Sequence, residues 1–208
     1  MKFILTSNSY LITKEWSQAF EMNPSKLKVA FIDTAADVYN KTEADWLKAD
    51  RDALIDVGFT VSDYSLTNKT KKQLVKDLSK FDIFFVSGGN TFYLLEKANQ
   101  SEFVKLIKED YFKDKTYVGS SAGSVLLSNN IDPIKFIDNP KKASLKNNNA
   151  IGIFNFTIFP HWGSEDFKEK YIKATEYAYE HSQQALLLAD NQYVLSEDGS
   201  LKLVSVDL

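Results

Sequence analysis

Three short segments of this chain carry residues whose types and spacing could perform acyl transfer. Gly119-Ser120-Ser121-Ala122-Gly123 fits G-x-S-x-G, with a short apolar run before it and a helix-compatible run after it. A sharp strand-to-helix turn of that pattern lifts its central serine, Ser121, above the carboxyl edge of a sheet. Small flanking residues suit a crowded, strained turn. Ser120 would need a G-S-x-x-G reading that such a turn does not use. The helix that follows aims free backbone N–H groups at the place where an oxyanion would develop. The second segment is Ser87-Gly88-Gly89-Asn90-Thr91, again after an apolar run. Adjacent glycines let the backbone approach a ligand closely, and their N–H groups would complete an oxyanion hole. With no Walker lysine and no G-x-G-x-x-G, this glycine pair is a weak nucleotide cradle.

The third segment supplies a base. The chain has only two histidines, His161 and His181. His161, in Phe159-Pro160-His161-Trp162-Gly163, follows an apolar strand and would emerge at a strand end. His181 closes a long amphipathic helix, where a histidine favours the C-terminal dipole or solvent. A serine–histidine pair needs a carboxylate to orient the imidazole. Asp132, Glu165, Asp166 and Asp190 are all candidates, and spacing alone does not choose among them.

The elements that must position these residues alternate along the chain. Strands are expected at residues 2–6, 29–32, 82–86, 117–119, 152–159, 186–189 and 201–206. Short apolar runs of this kind suit strands buried on both faces. Helices are expected at 43–57, with Gly58 as the stop, and at 70–78, 92–98, 102–111 and 166–181. The alternation predicts an α/β fold with a mainly parallel sheet. Ligands in such sheets sit in the crevice at the strands' carboxyl ends. No boundary or repeat divides residues 1–208, so one domain is expected. The polar stretch 139–149 reads as a long loop, either a surface insertion or a flap.

Composition removes several classes of function. The net charge is −3, from 25 basic and 28 acidic side chains, which gives no support to nucleic acid or an anionic membrane as the main partner. There are no cysteines, which excludes disulfides, thiolate metal sites and a cysteine nucleophile. Two histidines exclude a histidine-rich metal centre. The opening MKFILTSNSY fits neither a signal peptide nor a membrane span, so a cytoplasmic protein is expected.

Taken together, SGGNTFYLL (87–95), GSSAGS (119–124), DPI (132–134) and FPHWG (159–163) resemble the peptidase E family of α-aspartyl dipeptidases, whose cousin is cyanophycinase. The opening FILTSNS and the segment VAFIDTAA look like that family's first two strands, so the resemblance spans nearly the whole chain. It implies a three-layer αβα sandwich related to the class I glutamine amidotransferase fold, with serine in place of that group's cysteine. It implies Ser121 as nucleophile, His161 as general base, and Gly88, Gly89 and Ala122 as oxyanion donors. Asp132 is the nearest match to the family's aspartate, with one residue fewer before the proline, and Glu165 stays open as an alternative third member. The family's specificity arginine, which follows the histidine, has no counterpart in GSEDFKEKYIK. Lys168 aligns nearest, as a point charge rather than a bidentate fork. The implied activity is hydrolysis of short peptides, with N-terminal aspartate as the expected first residue, by a monomer or homodimer needing no metal or cofactor. The rivals are an amidase or esterase on another acyl substrate and a non-catalytic ligand-binding member of the fold.

Overall fold

The computed structural model describes residues 1–20 and 23–207. Five parallel strands form its centre: β1 (Lys2–Thr6), β2 (Lys28–Ile32), β3 (Thr60–Tyr64), β4 (Ile83–Val86) and β5 (Thr116–Ser120). Two further strands, β6 (Thr157–Phe159) and β7 (Ala185–Leu187), pair in parallel as a separate ribbon. A closing hairpin, β8 (Gln192–Glu197) and β9 (Ser200–Ser205), joins the main sheet antiparallel to β1. The seven-stranded order is β3-β2-β4-β5-β1-β8-β9.

The apolar runs form these strands because successive side chains point to opposite faces and both faces are covered. In β4, Ile83 and Phe85 enter one core while Phe84 and Val86 enter the other. The helices are α1 (Thr13–Ser17), α2 (Asp45–Val57), α3 (Lys71–Leu78), α4 (Thr91–Gln100), α5 (Phe103–Lys108), α6 (Ala122–Val125) and α7 (Lys168–Glu180). Trp16 of α1 and Leu47 and Leu54 of α2 cover one face. Leucines and aromatics of α3, α4 and α5 cover the other, giving three layers. Helix α2 ends at Gly58 with φ +108°, the left-handed C-cap expected there. Helix α7 packs Tyr171, Ala174 and Ala178 on Phe159 of the ribbon. No helix among the described residues is long and apolar enough to cross a membrane.

Two expected features differ. The strand expected at 152–159 shrinks to Thr157–Phe159, because Ile151, Ile153 and Phe154 donate instead to carbonyls of Leu126 and Leu127 after α6. The stretch 139–149 is not a flap over the carboxyl edge. Asn139 ties to Asn90, Ser144 bonds Glu96 of α4, and Asn149 bridges back to Asn130.

Helix α6 crosses so close to β4 that a Cβ added at Gly123 would lie 2.0 Å from the Val86 carbonyl oxygen. Gly123→Ala should therefore cost at least about 1–3 kcal/mol, read as a lower urea midpoint at unchanged slope. A variant as stable as the parent would show that this crossing can open freely.

Candidate active site

Parallel register brings the strand ends together. Thr6 of β1 pairs with Ser120 of β5, so Ser7 and Ser121 emerge side by side, and the Ser121 N–H donates to the Thr6 carbonyl at 3.1 Å. Val86 of β4 pairs with Gly119, so Gly88 and Gly89 emerge on the other flank of Ser121. In the ribbon Phe159 pairs with Leu187, and His161 and Asp190 leave their strands together. The resulting cavity is about 510 Å³, a size typical of small-molecule sites.

Ser121 sits at φ +49°, ψ −110°, a conformation rare for a residue with a side chain. The glycine two residues before it is required by space: a Cβ on Gly119 would lie 2.5 Å from the Ser124 nitrogen. Gly89 has φ +139°, and a Cβ there would lie 2.3 Å from the Ala35 carbonyl oxygen. Among the described residues, the N–H groups of Gly88, Gly89 and Ala122 donate to no protein acceptor, and all three residues line the cavity. Helix α6 has only four residues, so any oxyanion stabilisation comes from these local N–H groups rather than from a long helix dipole.

The Ser121 hydroxyl lies 3.0 Å from His161 Nε2, and His161 Nδ1 lies 2.8 Å from Asp190 Oδ1. His161 itself has a positive φ of 59°. Three contacts hold it there. Its N–H donates to the Ser7 hydroxyl at 2.5 Å, the Tyr171 hydroxyl donates to the Pro160 carbonyl, and the Phe167 ring stacks on the imidazole with centroids 4.9 Å apart. The Ser7 hydroxyl donates onward to Asp190 Oδ1 at 2.5 Å. Burial alone would raise the Asp190 carboxyl, but hydrogen bonds from His161 and Ser7 outweigh it and hold Asp190 below the ordinary carboxylate range.

The carboxylate beside His161 is thus Asp190, and the placement expected for Asp132 is corrected. The chain turns away after α6, and Asp132 instead accepts from the Asn148 amide at 2.6 Å. Glu165 is also elsewhere: it pairs with Lys168 at 3.3 Å, with both side chains largely exposed. Neither Glu165 nor Lys168 lines the cavity, whereas Asp166, Phe167 and Lys170 do. His181 bonds the Tyr177 carbonyl at the end of α7, away from the cavity.

Sequence reasoning missed Ser7, Phe167, Lys170 and Asp50. Asp50 lines the cavity from α2, where it shares a face with buried Leu47 and Leu54. An acid on an apolar helical stripe was a readable signal. Asp50 accepts the Tyr10 N–H at 2.9 Å and is 2% exposed. Burial pushes its pKa up to about 7 against the lowering effect of hydrogen bonds from Ser120 and Tyr10. Between the unfolded value of 3.8 and about 7 the folded state holds a proton that the unfolded state has lost, so stability falls as pH rises through that window. Asp50→Asn should stabilise the protein by on the order of a few kcal/mol at pH 8 and by little at pH 4, read by thermal melts at both values. An equal effect at both pH values would contradict the raised ionisation.

The chain is similar to known peptidases. Peptidase family S51 matches residues 3–204. The uncharacterized peptidase Lmo0363 of Listeria monocytogenes is 34% identical over 180 residues, covering 86% of this chain and 87% of that one. Peptidase E of Shewanella oneidensis is 33% identical over 96 residues, 45% of this chain and 37% of its own. The crystal structure of a candidate peptidase E from Listeria monocytogenes EGD-e superposes with a TM-score of 0.88, covering 99% of this chain and 98% of that one at 28% identity. With a match that runs from the first strand to the last, the chain belongs to peptidase family S51.

Proposed function

We propose that the protein is a serine peptidase that hydrolyses short peptides through Ser121, His161 and Asp190. The observation that carries this reading is the unbroken chain of contacts from the Ser121 hydroxyl through His161 to Asp190, at 3.0 and 2.8 Å, on a strained turn beside unused N–H groups. Ser121 Oγ attacks the scissile carbonyl, and His161 Nε2 takes its proton and returns it to the leaving amine. The N–H groups of Gly88, Gly89 and Ala122 stand where the tetrahedral oxyanion would form. One such donor is worth about 3 kcal/mol of barrier. Asp190 fixes the imidazole tautomer, and Ser7 is a positioning residue that acts through Asp190 and the His161 backbone.

For the first residue of the substrate, Lys170 speaks for aspartate, but it is the one lysine or arginine among the described residues lining a cavity that also holds Asp50, Asp138, Asp166 and Asp190. That balance supports a neutral first residue over an acidic one.

A dipeptide panel of Ala-Leu, Asp-Leu and Glu-Leu, run beside an ester panel, tests the activity. Ala-Leu should turn over at least as fast as Asp-Leu, and Ser121→Ala should abolish both. Cleavage of Asp-Leu alone would restore the aspartyl preference, and its loss in Lys170→Ala would assign it to Lys170. Cleavage of esters alone would favour an esterase, and retained turnover in Ser121→Ala would remove the serine mechanism.

Ser7→Ala should lower kcat by about tenfold or more with little change in KM, and Ser7→Thr should recover most of it. A rise in KM at unchanged kcat would instead place Ser7 in substrate binding.

A further inference from the structure

Asp50 is a structural liability that the acyl-transfer chemistry does not use. Its carboxylate is buried, and no lysine, arginine or histidine nitrogen lies within salt-bridge distance of it among the described residues. Its partners are the neutral Tyr10 N–H and Ser120 hydroxyl. A buried charge without a counter-charge is costly and persists where a ligand supplies the missing partner.

The position of Asp50 says which ligand group could do so. Ser120, its hydrogen-bond partner, directly precedes the nucleophile. One helical turn before Asp50 on the same face of α2 lies Trp46. The Trp46 ring reaches the backbone beside the nucleophile: a Cβ added at Gly88 would lie 3.8 Å from Trp46 Cδ1 and 3.4 Å from Ser121 Cβ. Trp46 also meets Tyr39 edge to face, with centroids 5.9 Å apart, and Tyr10 lines the cavity beside them. These three aromatic residues line the same cavity as Asp50 and stay 38–43% exposed, while Asp50 is 2% exposed. A buried carboxyl and aromatic rings lining one cavity suit an organic ammonium.

Resting on the serine-peptidase reading, we propose that Asp50, in the cavity it shares with Tyr10, Tyr39 and Trp46, binds the free α-ammonium of the substrate's first residue and so restricts the enzyme to unblocked N-termini. Chemistry sets the reach. The α-amine is one carbon from the scissile carbonyl, so with that carbonyl oxygen at the Gly88 and Ala122 N–H groups the ammonium falls within a few ångströms of Ser121. The flank at Trp46 and Asp50 offers a carboxyl and an indole to that space. The same charge pairing offsets, in the bound state, the penalty that the empty carboxylate imposes on the fold.

The test uses serine-directed α-aminoalkyl phosphonate diphenyl esters, in which Ser121 Oγ bonds to phosphorus and phenolate leaves. Labelling rates are compared for the alanine analogue with a free amine, its N-acetyl form, and an Nα-acetyl lysine analogue whose only ammonium is on the side chain. The free-amine compound should label at least about tenfold faster than its N-acetyl form, a difference of about 1.4 kcal/mol. In Asp50→Asn that ratio should fall to within about twofold. Thermal melts of Asp50→Asn establish that the variant is folded.

Equal rates for the free and acetylated compounds in the parent protein, or a ratio unchanged in Asp50→Asn, would overturn the anchor while leaving the nucleophile in place. Fast, Asp50-dependent labelling by the lysine analogue would overturn the α-amine assignment in favour of a side-chain ammonium. Labelling by none of the three compounds, in folded protein, would overturn the serine-peptidase reading and the anchor with it.

Discussion

One buried hydroxyl joins the two sheets of this molecule. Ser7 leaves the carboxyl end of β1 in the main sheet and meets both residues delivered by the β6–β7 ribbon. A serine hydroxyl has a single proton. Here that proton goes to Asp190, while the oxygen accepts the backbone N–H of His161. The remaining proton that Asp190 can accept at this point is the one on His161 Nδ1. The imidazole is thereby assigned the tautomer with Nδ1 protonated, which leaves the Nε2 lone pair facing Ser121. The ionised Asp190, able only to accept, sets the polarity of the whole chain of contacts, and the Ser7 hydroxyl conforms to it.

Part of the strain in the molecule lies around the same cavity. Ser121 and His161 both hold positive φ without being glycine, and Asp50 lacks a counter-charge. The opposing stabilisation is distributed elsewhere, in two apolar cores on either face of the sheet that contain no such compromise. Fully buried rings such as Trp16, Phe31, Phe85 and Phe92 anchor the framework. Rigid packing away from the cavity lets the strain within it persist.

Much of the fold was legible because its strands are buried on both sides. Continuous runs such as IFFV have few alternatives, and Gly58 and Thr70 mark helix ends through well-understood caps. β3 and β8 escaped notice for the opposite reason. TVSDY and QYVLSE are partly exposed and mix polar with apolar residues, so local pattern did not separate them from loop. In the site, Ser121, His161 and the glycine pair announced themselves through neighbours that only a tight turn requires. Asp190 did not, because its proximity to His161 is fixed by the pairing of Phe159 with Leu187, a contact between residues 28 apart in sequence. Asp132 drew attention through a local motif, yet local motif says nothing of which way the chain turns after α6.

The pairing of β1 with β8 has a consequence for how the chain is made. β1 precedes every other described strand in the chain and lies inside the sheet, between β5 and a strand that begins at Gln192. One edge of β1 therefore stays unpaired until a segment far along the chain has been made. Asp190 arrives at the same late moment. A nascent chain carries Ser121 and His161 before it holds Asp190 and β8, so the cavity is completed only once that later segment has been made.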